Sequence, residues 1–303
     1  MYLARVRCDG GVRLCAVQDD HVRLLQHSAL GVDQESPLGV AALAEAGWSD
    51  RVPLPLESPR PLMTVDLLAP VPRPEKIIGV GLNYRKHAAE AGVLVPKWPE
   101  IFAKFSNSIA DPGADIAIPA VDADVDYEVE LCVVIGQRGS QLSTGTGLGA
   151  VAGYMAANDV SARRWQSRVS QWVSGKTSDG FCPIGPWMAT PETIADPQNL
   201  RLWTEVNGQQ RQDSSTADMV FTVDQLVVYL SSLMTLAPGD LIMTGTPAGV
   251  GLGRRPPEYL NPGDVVRVGV DGIGVFSNTF VPANHSAGLT RIADDHGESA
   301  SVG

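Results

Sequence analysis

Tyr127-Glu128-Val129-Glu130-Leu131-Cys132-Val133-Val134-Ile135 is the stretch that decides the fold. Side chains alternate across a strand, so Glu128 and Glu130 share one face while Val129 and Leu131 pack on the other. From Leu131 to Ile135 the run is apolar on both faces, which reads as a strand buried inside a β-rich fold. Two carboxylates side by side repel each other unless a cation sits between them or one takes a proton. An isolated Glu-x-Glu is ordinarily a solvated strand face; the apolar continuation argues otherwise here. Buried paired carboxylates imply a bound cation, and oxygen ligands favour Mg²⁺, Mn²⁺ or Ca²⁺ over zinc. A third carboxylate is needed, and Asp159 in Ala156-Ala157-Asn158-Asp159-Val160 is the best candidate, because it ends an apolar run.

The residues after Asp159 read as a strand-to-helix junction at Ser161-Ala162-Arg163. Arg163 and Gln166 are three apart and share a face if residues 161–172 are helical. Lys176 follows Gly175, and by itself reads as a surface loop residue. In Thr244-Gly245-Thr246-Pro247 the glycine lets backbone approach a ligand closely, though an ordinary Gly-rich turn has the same appearance. His87 and Glu90 lie three apart in a short segment whose Ala88 and Ala89 favour a helical turn and whose Gly92 can end it. That spacing puts both side chains on one face, where the carboxylate can orient the imidazole for proton transfer. On spacing alone, a pair decorating a surface helix is the commoner case.

Composition narrows the partners. The chain has 303 residues with a formal net charge of −11, the wrong sign for neutralising phosphates and for a polybasic membrane-surface role. A hydrophobic content of 44% with 19% charged residues is globular, not disordered, composition. Cys8, Cys15, Cys132 and Cys182 form no CxxC and no metal-ligand spacing, so they read as reduced thiols. Met1 to Arg7 lacks the apolar centre of a signal peptide, and no apolar run approaches a membrane span. The expectation is a soluble cytoplasmic protein acting on a small molecule, with neither nucleic acid nor membrane as partner.

Three parts are expected. Residues 1–70 read as a small N-terminal domain with two short β stretches around Asp9-Gly10-Gly11 and a helix somewhere within 29–46. Pro53, Pro55, Pro59, Pro61, Pro70, Pro72 and Pro74 mark an extended connection. Residues 71–281 alternate β-rich runs with turns and carry the candidate site. They include one convincing helix over 224–234, with Leu226, Leu230 and Leu233 on one face and Thr222 with Gln225 as a capping box. Residues 282–303 read as a polar tail. Gly79-Val80-Gly81 and Gly145-Thr146-Gly147-Leu148-Gly149 do not complete a dinucleotide loop, and phosphate-loop, zinc-protease and nucleophile-elbow motifs are missing.

Taken in order, Gly81-Leu82-Asn83-Tyr84 through His87 to Glu90, Tyr127-Glu128-Val129-Glu130-Leu131, Asn158-Asp159-Val160-Ser161-Ala162-Arg163, Gly175-Lys176 and Thr244-Gly245-Thr246-Pro247 make a specific set. The sequence resembles the fumarylacetoacetate hydrolase family over roughly residues 71–281. That resemblance implies a mixed, β-rich α+β fold, in which a fumarylacetoacetate hydrolase-like β-roll catalytic domain that usually forms a homodimer follows the small N-terminal β-containing domain. It implies Mg²⁺ or Mn²⁺ on Glu128, Glu130 and Asp159, with Lys176 near the metal. Arg163, Gln166 and Thr246 would bind the oxo-acid end of the substrate. His87 and Glu90 would form a catalytic dyad on a segment that closes over it. Many relatives carry an acid where this chain has Arg164.

The activity implied is metal-dependent hydrolysis of a carbon–carbon bond in a 2,4-dioxo, acylpyruvate-like acid through a metal-stabilised enolate. Isomerisation or decarboxylation of a related 2-oxo diacid at the same site is the alternative. A non-catalytic metal-binding protein is the third reading, disfavoured by the presence of both His87 and Glu90.

Overall fold

The computed structural model describes residues 1–26, 31–49, 52–120 and 124–283. Its central strand is Val129–Ile135, and all seven residues are buried. Alternation explains how both faces are covered. Leu131, Val133 and Ile135 join a core with Leu202, Val268 and Phe280. Cys132 and Val134 face a second core that includes Leu3, Leu14, Leu43 and Trp48 from the N-terminal segment. Each such leucine removed from water contributes about 1.5–3 kcal/mol.

The strand pairs antiparallel with Val151–Asn158 on one side and Leu241–Met243 on the other, inside a twelve-stranded sheet. Leu241–Met243 runs parallel to Ile77–Gly81, whose other neighbour is the edge strand Glu100–Lys104. A separate five-stranded sheet contains Arg201–Val206, Val265–Val270 and Gly274–Pro282 and supplies the opposite wall of the first core. This is the mixed, sheet-dominated β-roll arrangement that the resemblance implied.

The N-terminal hairpin forms as read, Tyr2–Cys8 against Gly11–Gln18. Tyr2 and Leu3 also pair with Ala189 and Met188 of Cys182–Ala189, so the N-terminal strands extend the sheet that carries the site. The proline-rich stretch is more than an extended connection. Asp66–Leu68 pairs with Tyr2–Cys8, and Arg60–Pro61 pairs with His21–Leu24 at the end of the sheet, where proline's missing N–H is tolerated.

Helices are short. That expected within 29–46 is the five-residue Ala41–Glu45, residues 27–30 lying outside the described set. The helix expected over 224–234 runs Val223–Leu233 with both capping-box bonds formed. Leu226 and Leu230 are buried, but Leu233 is 52% exposed, because it ends the helix beyond the core that covers the other two. The stretch 161–172, considered as a helix after a strand-to-helix junction, is divided. Ser161–Ala162 pairs with Val125–Asp126, Arg163–Arg168 is helical, Val169 is extended, and a second helix occupies Val173–Lys176. The tail expected at 282–303 lies, from residue 284 on, outside the described residues. Among the described residues no helix is long and apolar enough to cross a membrane.

Candidate metal centre and active site

Antiparallel register builds the acidic cluster. Val129 lies opposite Asn158, so Glu128 and Asp159 meet where the two strands end. The Asp159 amide donates to the Glu128 carbonyl at 2.8 Å, and the Glu128 amide donates to Asn158 Oδ1 at 2.9 Å. Glu130, two residues along, points to the same side. Glu128, Glu130 and Asp159 are all buried, with one oxygen from each within 4.8 Å of the others.

Three buried cations face these acids. Lys176 Nζ donates to Glu128 Oε2 at 2.8 Å and to Asp159 Oδ2 at 2.7 Å. Lys104 Nζ donates to Asp159 Oδ1 at 2.6 Å. Arg163 pairs with Glu128 Oε1 at 2.6 Å and with Asp126 Oδ2 at 2.7 Å. Lys176 is therefore no surface-loop residue: it ends the helix Val173–Lys176 and is 2% exposed. Gly175 makes this possible, since a Cβ there would come within 2.5 Å of Gln166 Cβ and 2.7 Å of the Ala162 carbonyl oxygen.

The electrostatics are asymmetric. Burial works against the charged form of Glu128, but Lys176 and Arg163 outweigh it and hold its carboxyl down at about 2. Glu130 goes the other way: burial, then the Asp159 and Glu128 charges, push it well above the usual carboxylate range. Burial would lower Lys176, yet Asp159 and Glu128 raise it above the ordinary lysine value. Four buried carboxylates, with Asp126 included, face three cations, which leaves the cluster with an excess of negative charge. A divalent ion fits that position, and the all-oxygen donor set suits Mg²⁺ or Mn²⁺.

Glu128, Glu130, Lys176, Arg163, Gln166, Thr246 and His87 line one cavity of about 410 Å³. Asp159 is fully buried behind Lys104 and Lys176. Arg163 Nη1 donates to Gln166 Oε1 at 3.0 Å, confirming the shared face. Thr246 Oγ1 donates to the Val129 carbonyl at 2.9 Å and accepts from Gln212 Nε2 at 2.8 Å. Val80, Phe102, Trp172 and Leu252 form an apolar wall, and Arg164 stands near Asp124, its Nη2 3.4 Å from Asp124 Oδ2.

His87 and Glu90 come from the short helix Arg85–Glu90. His87 Nδ1 lies 3.2 Å from Glu90 Oε2, and Glu90 Oε1 accepts the Gly249 amide at 2.9 Å. His87 thus faces the cavity while Glu90 stands behind it and fixes the ring.

All nine residues picked out from the sequence converge on this region. Sequence reasoning missed Lys104, Asp126 and Gln212. Lys104 ends an ordinary-looking edge strand, and nothing in Glu100-Ile101-Phe102-Ala103-Lys104 marks a buried ion pair. Asp126 directly precedes Tyr127-Glu128, and its proximity to the paired carboxylates was the only available hint.

Comparison with known proteins places this geometry. The family model described as Fumarylacetoacetate (FAA) hydrolase C-terminal matches residues 76–281. The chain is 47% identical over 244 residues to the mitochondrial oxaloacetate tautomerase Fahd2a of Rattus norvegicus, covering 80% of this chain and 77% of that protein. Fumarylacetoacetate hydrolase from psychrophilic Exiguobacterium antarcticum superposes with a TM-score of 0.81 at 35% identity, over 93% of this chain and all of that one. Maleylpyruvate hydrolase from Sphingobium sp. SYK-6, solved with manganese(II) and pyruvate, gives 0.75 at 29% identity, over 94% of this chain and 100% of that one. With its fold, its site and these likenesses in agreement, the chain belongs to the fumarylacetoacetate hydrolase family, whose enzymes act on oxo acids.

Proposed function

We propose that this enzyme converts a 2-oxo dicarboxylic acid between its enol and keto forms, with oxaloacetate as the model substrate. The observation that carries the reading is one cavity lined by His87, whose ring Glu90 holds from behind, and by Glu128 and Glu130 of the carboxylate triad that Asp159 completes beneath the surface. A divalent ion, Mg²⁺ or Mn²⁺, held by Glu128, Glu130 and Asp159 would supply Lewis-acid charge to the oxo-carboxylate end of the substrate.

The chain's own residues do the rest. Lys176 spends two of its three N–H donors on Glu128 and Asp159, leaving one for substrate oxygen. Arg163, Gln166 and Thr246 hold the same end. His87, its ring fixed by Glu90, delivers a proton to the carbon beside the oxo group and takes back, through water, the proton that the enol hydroxyl loses, so the ring ends as it began. Arg164 offers positive charge to a second carboxylate. The 47% identity to an oxaloacetate tautomerase supports this reading.

Hydrolysis of an acylpyruvate is the second reading, favoured by the apolar wall of Val80, Phe102, Trp172 and Leu252, which suits an acyl group. In that case His87 would take a proton from the attacking water. Ultraviolet decay of enol-oxaloacetate, run beside pyruvate release from acylpyruvates with Mg²⁺ or Mn²⁺, separates the two. Accelerated enol decay without pyruvate release supports tautomerisation, and the converse supports hydrolysis. Neither signal would leave only metal binding.

The catalytic unit in this reading is 71–281, backed by the N-terminal strands of 1–70. A homodimer is part of this reading, and four unpaired cysteines support a cytoplasmic setting. Light scattering and fractionation test these.

A further inference from the structure

The Asp126 carboxylate is fully buried and touches both halves of the site. Its Oδ2 accepts from Arg163 Nε at 2.9 Å and from the Leu252 amide at 3.0 Å. Its Oδ1 accepts from the Gly251 amide at 2.7 Å and from the Tyr127 amide at 2.9 Å. The neighbouring Tyr127 hydroxyl donates to the Gly249 carbonyl at 3.2 Å, so two adjacent residues clamp the segment 249–252.

That segment is also the seat of Glu90. The Gly249 amide donates to Glu90 Oε1, and at Gly253 a Cβ would come within 2.5 Å of Glu90 Cδ. Gly249 has φ +106°, and a Cβ there would come within 2.3 Å of the Arg211 carbonyl oxygen, so that position requires glycine, whereas a Cβ at 253 would press on the Glu90 side chain alone. A line of direct contacts therefore runs from Arg163 through Asp126 and the 249–253 backbone to Glu90 and His87.

We propose that Asp126 is a positioning residue that sets the substrate-holding Arg163 and the Glu90 seat together, so that oxo-acid binding and proton transfer share one anchor. The proposal rests on the functional reading above, in which Arg163 binds substrate and His87 moves the proton. A carboxylate can accept from all of these donors at once. An asparagine cannot, because its amide group would face the Leu252 and Arg163 donors with hydrogens of its own.

The test is Asp126→Asn in the full chain, measured with Glu90→Gln and the double variant. Asp126→Asn should lower kcat about a hundredfold, the loss expected when a catalytic group is displaced by about 1 Å, and should raise KM as Arg163 is left to Glu128 and Gln166 alone. Combined with Glu90→Gln, the loss in kcat should be far less than the product of the single losses. Backbone amides of 85–92 and 249–253 should exchange hydrogen faster, a readout that needs no substrate. If Asp126→Asn does not fold, Gly253→Ala should reproduce the fall in kcat and the faster exchange of 85–92 with KM nearly unchanged. Wild-type kcat and KM, multiplicative losses with Glu90→Gln, or unchanged exchange would each overturn the proposal. Lack of turnover in the wild type would instead overturn the functional reading and leave the exchange result to decide the coupling.

Discussion

Lys104 donates from Nζ to Asp159 Oδ1 at 2.6 Å, and neither side chain exposes any surface to solvent. The bond ties the sheet's edge strand to the acidic cluster from behind. Breaking a buried pair from one side typically costs about 3–5 kcal/mol, an upper bound here because Lys176 stays on Asp159 Oδ2. Lys104→Met should therefore lose more than about 1 kcal/mol and up to that scale in a urea titration. A loss under about 1 kcal/mol, the range of exposed pairs, would show that the pair adds nothing beyond a surface contact.

Glu130→Ala removes one of the three oxygens of the candidate metal centre. Mn²⁺ binding, followed by electron paramagnetic resonance, should disappear together with metal-dependent turnover, while far-ultraviolet circular dichroism stays unchanged. Full activity of this variant after chelator treatment would sink the metal assignment.

Lys176→Met retains much of the side-chain length and deletes the charge. Removing one such electrostatic donor costs on the order of a hundredfold, so kcat/KM should fall by that much or more. A change within about threefold would leave Lys176 with no role beyond balancing Glu128 and Asp159.

His87→Ala is expected to leave Mn²⁺ and oxalate binding nearly unchanged, because the ring contacts Glu90 and not the carboxylate triad. Turnover should collapse for either proposed reaction. Persistence of the wild-type rate would remove the dyad from the mechanism.

Thiol reactivity gives a check on the fold with a defined pH sign. Burial pushes Cys15 and Cys182 up to about 12 and Cys132 well above the usual thiol range. Only the thiolate reacts, so raising the pH to about 9 should speed iodoacetamide labelling of half-buried Cys8 and leave the other three unmodified in the native state. Mass spectrometry showing early labelling of Cys132 or Cys182 would contradict the packing around the central strand.

What was legible in the sequence followed from local periodicity and short motifs. Alternation in 127–135 revealed the shared face of Glu128 and Glu130, spacing of three revealed the Arg163–Gln166 and His87–Glu90 pairs, and Thr222 with Gln225 announced the helix cap. These depend on residues close in the chain, where backbone geometry alone determines which side chains meet. Tertiary structure decided the rest. Register set Asp159 beside Glu128, antiparallel pairing of Leu241–Met243 with Val129–Ile135 brought the Gly245 amide within 2.8 Å of Glu130, and an edge strand delivered Lys104 from 55 residues away. Even Lys176, a loop residue by its local sequence, became a buried partner of two carboxylates. Charges can be buried in this way only when their counter-charges arrive from other elements, and a linear reading holds no information about that arrival.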